Sequence, residues 1–276
     1  PSKRTISASA CDKFLGTTLG PEGMVECLRR MGMDAVANGD EVEVTIPSVR
    51  LDIMHDVDIY EDVATGYGFD RFGGRHSLVQ TSGSMSPLTT FSENLRDVMV
   101  GLGFNEVTTL TLSNQKDEFE ISGLPEVDVV RVMNPITEDH TCLRPYLMPS
   151  LVRILRHNKH RDLPQRIFEI GNVVRDFHTQ PRLCAMVTAS KTSFTEIKSL
   201  TESVLREMGL RYTLEPCDLP TFVPGRGARI MMDGKEIGMF GEMAPSVVVG
   251  YEITHPIIFM EIDLEPIVAL KKDTLF

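Results

Sequence analysis

A cluster of charged side chains between residues 50 and 62 has the composition and spacing of a cation-binding site. Its members are Arg50 and the carboxylates Asp52, Asp58, Glu61 and Asp62. The last three carboxylates stand at i, i+3 and i+4, which places them on one face of a helix that we expect to begin near Asp58. Arg50 and Asp52 belong to the turn after Pro47, where the preceding strand ends. Because like charges at this spacing repel one another, the cluster is expected to need the positive end of the helix dipole or a bound cation.

These carboxylates are candidate magnesium ligands, because Mg²⁺ prefers hard oxygen ligands. The spacing leaves two other interpretations open. The cluster could be a solvated acidic face, or its carboxylates could pair with arginines of a partner protein. On spacing alone, the acidic face is slightly favoured over the metal site.

Composition excludes several classes of protein. A net charge of −11 over 276 residues argues against broad, nonspecific nucleic-acid binding. No apolar run in the sequence is long enough to span a bilayer. The five cysteines are scattered without a C-x-x-C pair, so reduced, buried thiols in a cytoplasmic protein are expected rather than a zinc or redox motif. Because the chain starts at Pro1 without an initiator Met or a signal-peptide core, we expect a fragment or a processed chain.

Residues 1–75 predict a small α+β domain that carries the acidic cluster. The predicted elements are helices at residues 10–16 and 21–31, strands at residues 33–38 and 41–46, and the acidic helix. The strands form a hairpin because Val42, Val44 and Ile46 alternate with polar residues, which gives one buried face. Residues 76–86 are rich in Gly and Ser and predict a linker.

Residues 87–276 predict a second, larger domain. A capping box at Thr90 and Glu93 is expected to start a helix that ends at Gly103. Further helices are predicted at residues 143–158 and 193–208, and strands at residues 104–112, 129–133, 166–174, 183–189, 228–232, 235–242 and 257–264. Because most of these strands connect by hairpins, the domain is expected to be an antiparallel sheet flanked by helices, and the whole chain is α+β.

One dense basic run follows the second of these helices. It contains Arg153, Arg156, Lys159, Arg161 and Arg166, with His157 and His160 among them. A cationic helix end, which the helix dipole favours, is the preferred interpretation. A subunit or RNA contact is the second option. The two histidines stand at i and i+3 without an obvious third metal ligand.

The chain resembles the β subunits of phenylalanyl-tRNA synthetases, in their archaeal or eukaryotic form. In the smaller domain the resemblance rests on P-S-x-R-x-D-I at residues 47–53, D-x-x-E-D-V-A at residues 58–64 and G-Y-G-F at residues 66–69. The larger domain adds the motifs Asn134-Pro135, Leu143-Arg144-Pro145, Asn158, Phe168-Glu169-Ile170-Gly171, Gly225-Arg226-Gly227-Ala228, Ile237-Gly238 and Phe240-Gly241-Glu242.

The resemblance implies a fold and a set of partners. The fold is the class II synthetase domain, an antiparallel sheet with three flanking helices. The holoenzyme would join phenylalanine to its tRNA with ATP, as a heterotetramer of two α and two β subunits, and catalysis would belong to α. The acidic residues Asp52, Asp58, Glu61 and Asp62 match positions that the family assigns to a magnesium ion shared with α.

The class II signature motifs are incomplete in this chain. The second motif of an active synthetase reads Arg-x-Glu, whereas Arg166 and Glu169 are three residues apart, which places them on opposite faces of a strand. Glu169 is therefore expected to pair with Arg131 or Arg175. The third motif lacks its adenine-stacking arginine in residues 259–266. We expect a pseudo-catalytic domain without catalytic residues that scaffolds the α subunit; a free-standing regulatory paralogue is the alternative, and an independent acidic-site metalloenzyme is a weaker third.

Overall fold

The computed structural model describes residues 1–74 and 81–270 and divides into two compact units, Pro1–Ser82 and Gly83–Phe276. Residues 76–80 of the predicted linker lie outside the described residues, as does residue 75. Within the described ranges, no helix has the length and apolar character needed to cross a membrane.

Within residues 1–74, the smaller unit packs three α-helices against a three-stranded sheet. Its elements are β1 (Ser2–Ser7), α1 (Ala8–Leu15), α2 (Gly20–Arg30), β2 (Asp34–Asn38), β3 (Glu41–Ile46) and α3 (Asp56–Tyr67). The sheet order is β1-β3-β2 and both pairings are antiparallel. The predicted hairpin and helices are confirmed, but β1 was not predicted. Only Ile6 of β1 is buried, so this strand carries almost no hydrophobic alternation.

The alternating residues of β3 form the centre of this unit's core. Val42 and Val44 are fully buried and join a cluster that includes Met24 and Leu28 of α2. Helix α3 adds its own buried residues, Ile59 and Val63. The core therefore positions α3, which carries most of the acidic cluster.

Helices α2 and α3 approach each other closely at a glycine. A Cβ built on Gly66 would lie 2.3 Å from the carbonyl oxygen of Cys27. Since real Cβ atoms are not found at that distance, the position requires glycine. This close approach explains the first glycine of the G-Y-G-F motif.

The larger unit is built around a seven-stranded sheet. Its helices are α4 (Pro87–Gly101), α5 (Met148–His157), α6 (Phe194–Glu207), α7 (Pro245–Gly250) and α8 (Glu265–Leu270). Its strands are β4 (Asn105–Glu106), β5 (Leu112–Ser113), β6 (Cys142–Leu143), β7 (Gln165–Arg175), β8 (His178–Thr188), β9 (Thr213–Pro216), β10 (Phe222–Met232), β11 (Lys235–Met243) and β12 (Ile257–Asp263).

The order of the large sheet is β4-β7-β8-β12-β11-β10-β9, and only the β4–β7 pairing is parallel. Strands β5 and β6 form a separate two-stranded sheet. The predicted antiparallel sheet flanked by helices is thus confirmed. Alternate residues of each strand face opposite sides, and helices cover both sides.

Each side of the sheet has its own hydrophobic cluster. On one side α4, α6 and α8 contribute buried residues such as Leu95, Ile197 and Ile267. On the other side α5 and α7 contribute residues such as Leu151 and Val247. All five cysteines of the chain are buried and free, as expected from their spacing.

Several predictions for the larger unit are wrong in detail. The capping box at Thr90 does not form: Ser86 is the N-cap of α4, and its Oγ accepts a hydrogen bond from Thr89 N at 3.2 Å. Ser86 precedes Pro87, a residue that suits the first helical turn, so this start takes precedence over Thr90.

Two predicted strands and one predicted helix are shorter than expected. Of residues 104–112, only Asn105–Glu106 joins the large sheet, and of residues 129–133 only Arg131 makes an isolated bridge, to Cys142. Both segments contain β-branched side chains, which favour strands. They lie at the edge of the fold, however, where few neighbouring strands are available for pairing. Helix α5 begins only at Met148, because Pro149 fits the first helical turn and Pro145 would interrupt a longer helix.

Candidate functional site

The acidic cluster lies at the N-terminal end of α3 and in the turn before it. The helix begins at Asp56, two residues earlier than predicted, and His55 is its N-cap. Asp58 closes a capping box, because its Oδ2 accepts hydrogen bonds from Met54 N at 2.8 Å and from His55 N at 2.7 Å. The bonds from His55 and Met54 lower the pKa of Asp58. This carboxylate is therefore used to start the helix.

Asp52 and Asp62 share the guanidinium group of Arg50. Arg50 Nη2 lies 2.7 Å from Asp52 Oδ2 and 3.0 Å from Asp62 Oδ2, and Arg50 Nε donates to Asp52 Oδ1 at 2.9 Å. The hydrogen bond from Arg50 lowers the pKa of Asp52. Asp62 is only 6% exposed, so Arg50 supplies the counter-charge that its burial requires.

The fourth carboxylate, Glu61, is exposed on α3. The structure therefore joins Asp52 to Asp62 through Arg50 and leaves Asp58 bonded to backbone N–H groups. Across residues 1–74 and 81–270, no group of three or more His, Cys, Asp or Glu side chains is placed to hold a metal ion. In this arrangement the four carboxylates do not fit a magnesium shell, because a guanidinium group already occupies the position between two of them. Magnesium binding stays a prediction that requires Arg50 to release its partners.

A second arginine of this site was missed in the sequence. Arg4 Nε lies 2.6 Å from Asp56 Oδ1, and Arg4 Nη1 donates to the carbonyl oxygen of Met54 at 2.8 Å. Arg4 reaches this turn because β1 pairs with β3, with Arg4 opposite Val44. Recognition of β1 as a strand would have been the only signal for this contact.

In the larger unit, Glu169 forms a buried ion pair with a residue that was not predicted. Arg144 Nη2 lies 2.8 Å from Glu169 Oε1, and the two side chains are 2% and 3% exposed. Arg144 Nε also donates to Asn172 O at 3.0 Å, and Thr109 Oγ1 donates to Glu169 Oε2 at 2.5 Å. The expected partners Arg131 and Arg175 are wrong, because β7 directs Glu169 toward the loop that carries Arg144.

Gly171 makes room for this pair. A Cβ at position 171 would lie 2.5 Å from Glu169 Oε1 and 2.9 Å from Arg144 Nη2. The Leu-Arg-Pro motif therefore supplies the arginine of one buried salt bridge. The Phe-Glu-Ile-Gly motif supplies its glutamate and the glycine that makes room for the pair.

Arg166, the arginine at the position of the second class II motif, lies on the opposite side of the sheet from Glu169, as predicted. Its Nη2 is 3.0 Å from Glu196 Oε1 on α6, and its guanidinium carbon is 5.8 Å from the ring centroid of Phe104. Arg166 therefore stabilises the contact between β7 and α6 and is paired within the chain.

A polar cavity of about 490 Å³ opens on the sheet side that carries Glu261. Three arginines line it, and each has a partner within the chain. Arg182 Nη1 lies 3.1 Å from Glu261 Oε1, Arg229 Nε lies 3.4 Å from Glu236 Oε2, and Arg175 stacks over Tyr146 with its guanidinium carbon 5.0 Å from the ring centroid. Glu261 is further held by the N–H groups of Leu147 and Met148 at the start of α5. The positive charge of this cavity is thus largely balanced internally.

The basic run at the end of α5 also makes ordinary structural contacts. Arg156 Nη2 lies 2.8 Å from Glu252 Oε1, Arg153 Nη1 lies 3.7 Å from Asp117 Oδ2, and His157 Nδ1 contacts Arg153 O at 2.7 Å. Among the described residues neither His157 nor His160 belongs to a potential metal group. A subunit or RNA contact through this run stays a prediction.

The chain is similar to a solved synthetase structure. The pyrrolysyl-tRNA synthetase of Desulfitobacterium hafniense aligns with a TM-score of 0.57 and 20% identity over 68% of this chain and 69% of that chain. At this identity the likeness shows the fold alone. It agrees with the class II synthetase fold expected for the larger unit.

Sequence relatives identify the family. The phenylalanyl tRNA synthetase beta chain CLM domain matches residues 76–264, and the tRNA synthetase B5 domain matches residues 4–69. Phenylalanine–tRNA ligase beta subunits of Methanococcus maripaludis and Archaeoglobus fulgidus are 40% and 38% identical over 95% and 94% of this chain. The chain spans about half the length of these relatives, 50% and 48%. The chain therefore belongs to the phenylalanyl-tRNA synthetase β chain family.

Proposed function

We propose that this chain acts as part of the β subunit of a phenylalanine–tRNA ligase and that it contributes structure rather than catalysis. The observation that carries the proposal is the match of residues 76–264 to the β chain CLM domain. In this proposal the larger unit is a catalytic-like domain that docks the α subunit, and α carries the site that activates phenylalanine with ATP.

The arrangement of the arginines supports a non-catalytic role. Phosphoryl and adenylyl chemistry requires cations that are aimed at the charge developing on phosphate oxygens. Arg166 is paired with Glu196 on the side of the sheet opposite the polar cavity, and Arg182 in the cavity is paired with Glu261. A triphosphate in this cavity would have to compete with Glu261 for Arg182 and with Glu236 for Arg229.

The partners follow from the same proposal. The chain assembles with α in a cytoplasmic heterotetramer of two α and two β subunits, and tRNA is engaged through the holoenzyme. A free-standing regulatory paralogue is not favoured, because the relatives that match along this chain are named ligase beta subunits.

Assembly with the companion α subunit tests the proposal. We expect this chain and α, mixed at micromolar concentration, to sediment as one complex, because obligate interfaces bury large apolar areas. A pyrrolysyl-tRNA synthetase catalytic domain is a control with the same fold, and it should sediment separately from α. Separate sedimentation of this chain and α would contradict the proposed function.

A further inference from the structure

The turn between β2 and β3 carries the one asparagine of the sequence that is followed by a glycine, Asn38-Gly39. Both residues and the next one, Asp40, are exposed. In the described part of the chain, neither the side-chain amide of Asn38 nor the backbone N–H of Gly39 makes a hydrogen bond. These are the two groups that react when an asparagine loses its amide to the following backbone nitrogen.

Gly39 leaves its own nitrogen unshielded. Its φ is +64°, and a Cβ built on it would meet no heavy atom within 4 Å. Glycine adopts this conformation without strain, and it brings no side chain between its nitrogen and the preceding residue. The nitrogen of Gly39 can therefore approach the side-chain carbonyl carbon of Asn38, Cγ, without a steric barrier.

The position of Asn38 in the sheet allows the rotation that the reaction needs. The chain must turn at Asn38 until the nitrogen of Gly39 faces Cγ. Asn38 is the last residue of β2, and β2 is an edge strand in the order β1-β3-β2. The ladder contact that this rotation breaks is the pairing of Asn38 with Glu41. Contacts at the end of an edge strand open at a low cost in free energy.

We propose that Asn38 is a modification site, at which the backbone nitrogen of Gly39 displaces the side-chain amide nitrogen. The Gly39 nitrogen loses its proton to hydroxide and bonds to Asn38 Cγ. The Cγ–Nδ2 bond then breaks, and the leaving nitrogen takes a proton from water and departs as ammonia. Water opens the resulting succinimide at either carbonyl, which leaves aspartate or isoaspartate at position 38. The reaction needs only water and hydroxide, and it is independent of the proposed function.

The same turn anchors the start of α1. Asp40 Oδ1 accepts a hydrogen bond from Ser9 N at 3.0 Å, and Oδ2 accepts one from Ser7 Oγ at 2.8 Å. The carbonyl oxygen of Asp40 accepts a third from Ala8 N at 2.8 Å. Isoaspartate at position 38 adds a methylene group to the backbone just before Gly39, which displaces Asp40 from these donors. Helix α1 should then lose its cap and fray.

An aspartate at position 38 weakens the hairpin in a different way. Position 38 stands directly opposite Glu41 in the antiparallel pair. Like charges at opposite positions of two strands destabilise their pairing. Both products of the reaction therefore loosen the turn that anchors α1.

Peptide mass spectrometry of this chain, incubated at pH 8, measures the modification. We expect Asn38 to convert at least tenfold faster than Asn105 and Asn172, which are exposed in strands but precede larger residues than glycine. The rate should rise in proportion to the hydroxide concentration between pH 6 and pH 8. Asn38→Gln is the matched variant. Its longer side chain must close a larger and less favourable ring, so position 38 should stay unmodified over the same time.

Hydrogen exchange of the incubated chain measures the effect on α1. Peptides from α1 should exchange at least tenfold faster in the modified fraction than in the unmodified one, whereas peptides from β8 in the larger unit should not change. Asn38→Gln, incubated in the same way, should exchange like the fresh parent chain.

Two results would contradict the proposal. Conversion of Asn38 no faster than that of Asn105 or Asn172 would show that the folded turn protects the reacting atoms, and it would overturn the modification site. Rapid conversion with unchanged exchange of α1 would overturn the link between this turn and the anchor of the helix.

Discussion

An Arg144→Met variant is expected to destabilise the larger unit by about 3–5 kcal/mol, the cost typical of removing one partner from a buried ion pair. Glu169 is 3% exposed, and without Arg144 the hydrogen bond from Thr109 is the one that its carboxylate keeps among the described residues. Urea unfolding followed by circular dichroism measures the loss, and hydrogen exchange of peptides from β7 and β8 assigns it to the larger unit.

Two further variants control for this result. The double variant Arg144→Met, Glu169→Leu should recover most of the lost stability, because an apolar pair leaves no buried charge. Lys198→Met removes an exposed pair with Glu202, whose atoms are 4.0 Å apart, and should change the free energy of unfolding by less than about 0.5 kcal/mol. A loss of under about 1 kcal/mol in Arg144→Met would show that Glu169 does not depend on this arginine.

A Glu118→Gln variant is expected to remove a pH dependence of stability from the larger unit. Glu118 lies in a π-helical turn, Lys116–Ile121, and is completely buried. Ser113 Oγ donates to its Oε1 at 2.6 Å, while its Oε2 lacks a hydrogen-bond partner among the described residues. Burial raises the pKa of Glu118 from 4.5 to about 8.

The direction of this pH dependence follows from the pH at which Glu118 loses its proton in the unfolded chain and in the folded chain. The unfolded chain releases this proton near pH 4.5, whereas the folded chain keeps it until about pH 8. Between these values the folded state binds one proton more, so the free energy of unfolding falls by about 1.4 kcal/mol for each pH unit of increase. Between pH 5 and pH 8, the free energy of unfolding of Glu118→Gln should therefore rise by about 3–4 kcal/mol relative to that of the parent chain.

Urea unfolding at pH 5, 6, 7 and 8 measures this difference. Glu120→Gln is the matched control, because Glu120 is exposed on the same helical turn. It should leave the pH dependence of the parent unchanged. If the free energies of unfolding of Glu118→Gln and the parent differ by a constant amount from pH 5 to pH 8, Glu118 is already ionised in the folded chain at pH 5.

Local pattern was enough to predict much of the fold. The alternation of Val42 and Val44 identified a hairpin, and the helical repeat of Ile197 and Val204 identified α6, because each pattern reports burial on one face. Strand β1 could not be found in this way, since its side chains are mostly exposed and its pairing with β3 is a contact across the fold.

The acidic site shows the same limit. Its spacing correctly placed Asp58 and Asp62 on one helix, with Asp58 in the first turn. Spacing did not show that Asp58 caps the helix or that Arg50 lies between Asp52 and Asp62. It also did not show that Arg4, 52 positions earlier in the chain, binds Asp56. Carboxylates that look free in a sequence can be bound by the chain's own cations, and only the tertiary structure reveals those partners.

The central claim is that this chain supports the ligase without forming adenylate itself. Phenylalanine-dependent ATP–pyrophosphate exchange tests this claim most directly. The assay compares this chain alone, the α subunit alone and the assembled complex. We expect exchange in the complex and none above background with this chain alone, because Arg166 and Arg182 are paired with carboxylates of the chain. Exchange by this chain alone that is abolished by Arg166→Ala would contradict the account and assign a catalytic site to the larger unit.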